Sequence, residues 1–287
     1  MRCIIKEMLT FIRTIRYLLK KYRTHPSKRL GQNFLINGAI LKKVIKAADL
    51  HPQDTVLEIG PGIGVLTQGL ARTAKKVIAI EKDPKMCEIL KETLKNFKNV
   101  EIIQADILKL DPKPYALKPY KLVANLPYYI AAPVIRKFLE SKIQPKSMIL
   151  MVQKEVAQRI CSKPPDMSIL AVSIQFYAKT EIISYVSKKS FWPSPKVDSA
   201  IIKIIPRQFC VPVSRQFRER FFRIVKAGFS HPRKQILNNF REMLKLNKEG
   251  VQSWLLKNDI QPQQRAETLS IEDWIKLTKT FNSKYEP

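Results

Sequence analysis

The chain has 287 residues and 45% of them are hydrophobic, so it is long enough for one large domain or two ordinary ones and is not a disordered polymer. Its 52 Lys and Arg residues against 24 Asp and Glu give a formal net charge of +28, which predicts a polyanionic partner, either nucleic acid or an anionic membrane surface. Four scattered cysteines without a CxxC pair and three histidines argue against a disulfide framework and a zinc site, and no apolar run approaches the roughly 18 residues of a membrane span. This pattern fits a protein of the reducing cytoplasm with no metal and no stable membrane association.

Residues 1–24 form a basic amphipathic N-terminal extension. Nine Lys and Arg residues but one Glu occur in residues 1–30. The apolar residues recur at helical spacing, and they are Ile4, Met8, Phe11, Ile12, Ile15, Leu18 and Leu19. Three interpretations stay open: a helix docked on the domain or on RNA, which we favour, a helix on a membrane surface, and an organellar presequence.

Residues 25–206 alternate between strand-like and helix-like segments. Asn37 is a predicted N-cap of a helix that runs to about Ala48. Apolar, β-rich runs predict strands over 55–59, 76–80, 100–104, 120–124 and 147–152, with helices over 65–73, 84–96 and 130–141. Two later strands, 182–186 and 200–205, are expected to form a hairpin that closes the sheet edge. The alternation predicts the α/β class, with a mostly parallel sheet and helices on both faces.

Residues 207–287 carry no strand-like run. Helical periodicity is present over 213–228, 231–246, 250–258 and 270–282, which predicts a small all-α C-terminal domain. Ten Lys and Arg residues accompany two Glu residues between positions 207 and 245, and phenylalanines lie among them. We expect the phenylalanines to form the core of this domain and the cations to bind the substrate RNA.

Three polar features follow successive strands. Gly60, Gly62 and Gly64 come after the first strand and open a helix, so the backbone there can approach a ligand closely. Glu81 ends the second strand and is placed to accept hydrogen bonds from a ribose diol. Asp106, after the third strand, can accept a hydrogen bond from an adenine amine. Their order predicts a nucleoside ligand.

The glycine loop decides between two nucleoside cofactors. An NAD enzyme requires a G-x-G-x-x-G run, but Val65 stands three residues after Gly62 and Pro61 interrupts the loop. S-adenosylmethionine (SAM) has a ribose and an adenine but no pyrophosphate, so it fits the pattern better. The sheet is therefore expected to be a Rossmann-like SAM-dependent methyltransferase sheet.

The stretch Asn125-Leu126-Pro127-Tyr128 follows the fourth strand, at the edge where open α/β sheets bind ligands. The side-chain oxygen of Asn125 and the carbonyl of Leu126 or Pro127 can accept hydrogen bonds from an exocyclic amine, and the Tyr128 ring can stack on the base that carries it. An ordinary β-to-α turn also favours Asn and Pro, so these four residues alone leave both interpretations open.

Together, these motifs resemble the ribosomal RNA adenine dimethyltransferase family, in its bacterial small-subunit branch. The likeness spans about residues 17–280. It comprises Leu-Gly-Gln-Asn-Phe-Leu (30–35), Glu-Ile-Gly-Pro-Gly (58–62), Ile-Glu-Lys-Asp (80–83), Ala-Asp (105–106), Asn-Leu-Pro-Tyr (125–128), Gln-Lys-Glu-Val-Ala-Gln-Arg (153–159), Phe-Trp-Pro-Ser-Pro-Lys-Val-Asp-Ser-Ala (191–200), Ala-Gly-Phe-Ser-His-Pro-Arg-Lys (227–234) and Arg-Ala-Glu-Thr-Leu-Ser (265–270). The resemblance implies SAM contacts at Asn33, Leu35, Gly60, Glu81, Asp106 and Asn125. It also implies dimethylation at N6 of two adjacent adenosines in a hairpin near the 3′ end of small-subunit rRNA, and a role in subunit biogenesis.

The expected mechanism uses proximity and needs no histidine base. Asn125, Leu126 and Pro127 are the predicted partners of the target amine, and Tyr128 and Phe191 are predicted to stack on the two faces of the flipped base. Phe191 could instead be a core aromatic. The expected partner is small-subunit rRNA or a pre-30S particle, and the protein is expected to act as a monomer.

Two alternatives to this function remain at the level of sequence. A large-subunit rRNA methyltransferase that confers macrolide resistance shares the same core, although Leu126 and the Arg265-Ala266-Glu267 run favour the small-subunit substrate. A non-catalytic RNA-binding assembly or transcription factor could use the same scaffold, but it has no need to keep Glu81, Asp106 and Asn125.

Overall fold

The computed structural model describes residues 12–111, 119–207 and 214–281. Residues 1–11 of the predicted N-terminal extension, with Cys3, lie outside this description. So do Cys210 and the last residue of the helix predicted over 270–282.

In the described ranges the chain forms nine strands, three 3-10 turns and eleven α-helices. The strands are β1 (Phe34–Leu35), β2 (Thr55–Ile59), β3 (Lys76–Glu81), β4 (Val100–Gln104), β5 (Tyr120–Asn125), β6 (Met148–Gln153), β7 (Ala178–Val186), β8 (Phe191–Trp192) and β9 (Ser199–Pro206). The helices are α1 (Ile12–Lys21), α2 (Gly38–Ala48), α3 (Val65–Ala71), α4 (Pro84–Thr93), α5 (Ala131–Glu140), α6 (Lys154–Ile160), α7 (Ile169–Gln175), α8 (Arg215–Gly228), α9 (Ile236–Leu244), α10 (Lys248–Lys257) and α11 (Ile271–Thr280). The 3-10 turns are Tyr128–Ile130, Lys188–Ser190 and Ala266–Thr268.

The chain divides into two compact units, 1–157 with 179–206 and 158–178 with 207–287. The sequence places a single boundary after residue 206. The second unit thus also takes up 158–178, a segment that the sequence pattern assigns to the α/β region.

The first unit is built on a seven-stranded mixed sheet flanked by helices. Neighbouring strands follow the order β4-β3-β2-β5-β6-β9-β7, and the first five of them run parallel, whereas β9 is antiparallel to β6. The predicted strands are confirmed, and the two later strands, β9 and β7, are neighbours at the edge of the sheet, as expected. The central strands are buried along nearly their whole length because helices cover a parallel sheet, which explains their continuous apolar runs.

Local capping fixes where the helices begin. The side chain of Asn37 accepts hydrogen bonds from the backbone amides of Ala39 and Ile40 at 2.9 and 3.2 Å, so the predicted N-cap of α2 is confirmed. Pro84 is the first residue of α4, as predicted, and Asp83 caps it. These two caps fix the spacing between β1 and α2 and between β3 and α4.

A second, two-stranded sheet pairs β1 with β8 in antiparallel orientation. Phe34 lies opposite Trp192, and Leu35 lies opposite Phe191. Strands of two residues carry no readable period, so the sequence pattern does not predict this pairing. It brings together two segments that are more than 150 residues apart in the chain.

Helix α1 is part of the core of the first unit. Ile15, Leu18 and Leu19 are buried in the same hydrophobic cluster as the residues that cover the sheet. Glu92 in α4 anchors the C-terminal end of α1, because its carboxylate accepts hydrogen bonds from Lys21 Nζ at 2.7 Å and from the Tyr22 hydroxyl at 2.6 Å. The helical spacing predicted over these residues is therefore present, and its apolar face packs against the domain.

The second unit is helical in its described residues and has an aromatic core. Phe176 stacks on Phe221 with ring centroids 4.1 Å apart, and Phe240, Trp254 and Trp274 form a second cluster. The expectation that phenylalanines fill this core is confirmed for the buried rings.

The helix predicted over 231–246 begins later, at Ile236. The side-chain amide of Asn239 donates to the carbonyls of Gly228 and His231 at 2.6 and 3.1 Å and holds the intervening chain in a turn. Residues that precede Gln235 therefore cannot join the helix.

Candidate active site

The cleft of the first unit lies where the order of the sheet reverses. β2 and β5 are neighbours, although β3 and β4 come between them in the chain, and open α/β sheets bind ligands at the carboxyl ends of strands at such a point. The cleft holds about 1160 Å³ of empty space, part of it open to solvent. All ten residues predicted to act on donor or target line it, namely Asn33, Leu35, Gly60, Glu81, Asp106, Asn125, Leu126, Pro127, Tyr128 and Phe191.

The glycine loop after β2 forms one wall with its backbone. Gly60 and Gly62 have φ angles of +66° and +59°, in the left-handed region that favours glycine. A Cβ on Gly62 would lie 3.2 Å from the ring of Phe34. Because the left-handed conformation favours glycine at both positions, and the Phe34 ring also restricts the space at Gly62, the loop has no side chain at Gly60 or Gly62.

Glu81 ends β3 with a carboxylate that the backbone fixes in place. Its oxygens accept hydrogen bonds from the amides of Gly62 at 3.1 Å, Lys82 at 2.8 Å and Asp83 at 2.9 Å. Burial raises the pKa of this carboxyl, and the three amide donors oppose the rise. A carboxylate has about four lone-pair sites, so this one retains capacity for a hydroxyl donor in the cleft.

Asp106 follows β4 at the same edge of the sheet. Lys82 Nζ lies 2.9 Å from its Oδ2, and the Leu108 amide donates to its Oδ1 at 3.0 Å. The hydrogen bond from Lys82 lowers the pKa of Asp106, although partial burial acts against it. Asp106 is therefore an ionised acceptor beside the buried Glu81.

Asn125 ends β5 with its side chain already oriented. Its Nδ2 donates to the backbone carbonyl of Asn33 at 3.1 Å, which leaves its Oδ1 as the acceptor for a ligand. The next residue continues the sheet contact, because the Leu126 amide donates to the Met151 carbonyl at 3.2 Å. The carbonyl of Pro127 accepts from the Ile130 amide at 3.1 Å in the turn that leads into α5.

Tyr128 and Phe191 are two of the aromatic side chains that line the apolar part of the cleft. The Tyr128 hydroxyl lies 2.8 Å from the hydroxyl of Ser199 in β9, and burial raises the pKa of Tyr128. Phe191 is 3% exposed and lies opposite Leu35 in the two-stranded sheet. Residues from four separate segments thus meet in one slot.

The sequence pattern does not single out two residues that the structure places here. Glu58 lines the cleft from β2, is 1% exposed, and its Oε2 has no hydrogen-bond partner among the described residues. Burial raises its pKa to about 8. Ser199 is fully buried and holds Tyr128. An acid inside an apolar strand was the available indication for Glu58, whereas the contact of Ser199 is visible only in three dimensions.

Within the described residues, no group of three or more His, Cys, Asp or Glu side chains has the arrangement of a metal site. None of the helices over 12–111, 119–207 and 214–281 is long and apolar enough to cross a membrane.

Comparison with known proteins connects this geometry to a family. A model described as ribosomal RNA adenine dimethylase matches residues 24–283. A ribosomal RNA small subunit methyltransferase A of Dehalococcoides mccartyi is 45% identical over 262 residues, which cover 91% of this chain and 90% of that protein. The protein of the same name from a Geobacillus species is 41% identical over 287 residues, which cover 96% of this chain and 98% of that protein.

Two crystal structures have the same fold. A dimethyladenosine transferase from Plasmodium falciparum superposes with a TM-score of 0.73 at 29% identity and covers 88% of this chain and 98% of its own. The 23S rRNA methyltransferase ErmE also superposes with a TM-score of 0.73 at 27% identity. The superposition covers 86% of this chain and 99% of ErmE.

Proposed function

Because the chain belongs to the ribosomal RNA adenine dimethylase family, we propose that it dimethylates N6 of two adjacent adenosines near the 3′ end of small-subunit rRNA. The observation that carries this proposal is the position of Asn125 and Leu126, at the carboxyl end of β5 and in the same cleft as Glu81 and Asp106. One side of the cleft thus suits a nucleoside donor, and the other suits an exocyclic amine. The enzyme acts on rRNA or a pre-30S particle, in the cytoplasm and as a monomer.

The residues on the donor side fit SAM. When bound, this molecule supplies a methyl group that its sulfonium already activates. Glu81, whose carboxylate the backbone amides fix, would accept hydrogen bonds from the ribose hydroxyls, and Asp106 would accept one from the adenine amine. Gly60, Asn33 and Leu35 line the same cleft and would complete the donor site.

The target amine is held by two acceptors. Conjugation with the ring makes adenine N6 a poor nucleophile, and hydrogen bonds from both N6 protons favour a pyramidal nitrogen whose lone pair is available. Asn125 Oδ1 is one acceptor. The Leu126 carbonyl is better suited than that of Pro127 to be the other, because the Pro127 carbonyl already accepts from Ile130. Holding N6 against the donor methyl would lower the barrier to transfer, in which the N–C bond forms as the S–C bond breaks, the donor leaves as its thioether and an N6 proton passes to solvent.

The adenine must leave its stack to enter the slot, at a cost of a few kcal/mol. Stacking on Tyr128 and Phe191 offsets that cost, since each base–aromatic contact contributes about 1–3 kcal/mol. The Ser199 hydroxyl holds the Tyr128 ring in place. Tyr128 keeps its proton at neutral pH because burial raises its pKa, so it serves as a stacking surface and not as a base.

Asn125→Ala tests the proposed acceptor. We expect it to abolish measurable turnover, a loss of about 100-fold or more, because one preorganised polar contact at the reacting atom is removed. RNA affinity should stay nearly unchanged. Asn96→Ala, in the exposed turn after α4, is the matched control. Full activity of Asn125→Ala would remove Asn125 from the mechanism.

A second candidate function is methylation of large-subunit rRNA, which the fold of ErmE supports to the same TM-score. The protein, tritiated SAM and either unmodified small subunits or unmodified 23S rRNA are incubated side by side, and the label is mapped. Label on two adjacent adenosines of the small subunit is expected, and label on 23S rRNA alone would replace the proposal. Calorimetric titration with SAM tests a non-catalytic assembly role, since that role requires no donor binding.

A further inference from the structure

Four residues on the exposed face of α1 recur at helical spacing. Arg13, Arg16, Tyr17 and Lys20 lie at positions i, i+3, i+4 and i+7, which form a single stripe along a helix. We call them the α1 stripe. All four are exposed, and Tyr17 is 62% exposed.

The α1 stripe has the chemistry of a polyanion-binding surface. No acidic residue occurs in residues 12–30, and in the part of the chain that the structure describes the stripe cations form no ion pair. The neighbouring Lys21, in contrast, is held by Glu92 at 2.7 Å. Cations along an exposed helix with an aromatic ring among them match a nucleic-acid strand, because they can contact phosphates and stack on an unpaired base.

The opposite face of α1 argues against a membrane surface as the partner. A helix that lies in a lipid interface must bury its apolar face among acyl chains. Ile15, Leu18 and Leu19 are instead buried in the protein core. The face that remains is polar, which favours RNA over lipid.

The α1 stripe adjoins the wall of the cleft. The guanidinium carbon of Arg16 lies 5.5 Å from the centre of the Trp192 ring. Trp192 follows Phe191 in β8, and Phe191 lines the slot that receives the target base. An RNA strand whose base enters this slot, and whose backbone continues past Trp192, would meet α1.

We propose that the α1 stripe binds the RNA that flanks the target adenosine, with Arg13, Arg16 and Lys20 on phosphates and Tyr17 stacked on an unpaired base. The inference rests on the proposed function and deepens it. The family match begins at residue 24, so this helix lies outside the part of the chain that the match covers.

The test compares two pairs of cations. Arg13→Gln with Lys20→Gln keeps the contact between Arg16 and Trp192, and glutamine maintains the helix. The control is Lys142→Gln with Lys146→Gln, which removes two exposed cations before β6, at the edge of the sheet opposite the cleft. The affinity of each protein for a synthetic rRNA 3′-terminal hairpin is measured across a range of salt concentrations.

We expect the α1 double variant to bind about 10- to 60-fold more weakly near 0.1 M salt, and the magnitude of its log–log salt slope to fall by about 1.5, because each phosphate contact accounts for about 0.7–0.9. Tyr17→Ala is expected to weaken binding about 5- to 150-fold with an unchanged slope. The control pair should behave as wild type, and SAM affinity should be the same in all proteins.

Equal slopes for the α1 pair and the control pair would overturn the proposal. So would an α1 pair that keeps its RNA affinity but loses binding to phosphatidylserine vesicles, which would identify a membrane surface. The proposed function fails separately, if wild-type protein leaves small-subunit adenosines unmethylated. The slopes still test the α1 stripe in that case.

Discussion

Three carboxyl groups line the cleft, and their surroundings give them different protonation behaviour. Three backbone amides fix Glu81, a lysine pairs with Asp106, and burial raises the pKa of Glu58 to about 8. At neutral pH the cleft therefore contains an ionised Asp106 and a protonated Glu58. Groups with such divergent pKa values are characteristic of functional sites.

The raised pKa of Glu58 should make the stability of the protein depend on pH, and Glu58→Gln removes that dependence. The native state keeps a proton that the unfolded state releases above its ordinary value of 4.5, so the free energy of unfolding falls as pH rises from about 4.5 to about 8. By pH 7 this loss is at most roughly 3 kcal/mol. Urea unfolding at pH 5 and pH 7.5 should therefore show a smaller decrease for Glu58→Gln than for wild type, and parallel decreases would contradict the prediction.

Tyr128 separates the effect of a ring from that of a hydroxyl. Tyr128→Phe keeps the stacking surface and removes one hydrogen bond to Ser199, so we expect single-turnover rates within about 10-fold of wild type. Tyr128→Ala also loses the ring and should cost about 5- to 150-fold more. Ser199→Ala is the control, because it should match Tyr128→Phe. If Tyr128→Phe and Tyr128→Ala were equally impaired, stacking would not be the role of the ring.

At the scale of elements, α1 is a structural part of the first unit, although it precedes the region that the family match covers. Leu18→Ala should lower the free energy of unfolding by about 2–5 kcal/mol, because it leaves a cavity in the core. Tyr17→Ala, on the exposed face, should change it by less than about 0.5 kcal/mol. Denaturant titration of both variants checks this, and equal stabilities would mean that α1 is not packed in solution.

The elements that the sequence predicts well are those with a long, uniform pattern. β2 has its predicted bounds of 55–59, and α2 starts where Asn37 caps it, because buried strands and caps are determined by neighbouring residues. The two-residue strands β1 and β8 have no period to read. The grouping of 158–178 with the second unit depends on contacts between segments that are distant in the chain.

The candidate site divides in the same way. Glycines and polar residues after successive strands point to the cleft because parallel strands end at one edge. Ser199 and Glu58 were not predicted as site residues, since their roles follow from a contact and from burial.

At the scale of the molecule, the formal charge of +28 predicts binding dominated by phosphates. If α1 and the basic segment 207–245 supply at least six phosphate contacts, RNA affinity should fall about 1000-fold or more between 50 and 200 mM salt. SAM affinity should change little over the same range. Filter binding and calorimetry measure the two quantities, and a flat response of RNA affinity would contradict the assignment of RNA to these surfaces.

Because β9 lies between β6 and β7 in the sheet, the two sides of the cleft are completed at different times during translation. Glu81, Asp106 and Asn125 leave the exit tunnel early, but the hydroxyl that holds Tyr128 comes from Ser199, 71 residues later. Long-range pairing of this kind forms late. A nascent chain can therefore form the strands that lead to Glu81, Asp106 and Asn125 while β1 still lacks its partner β8 and Tyr128 lacks Ser199, so the cleft is complete only once β9 has been made.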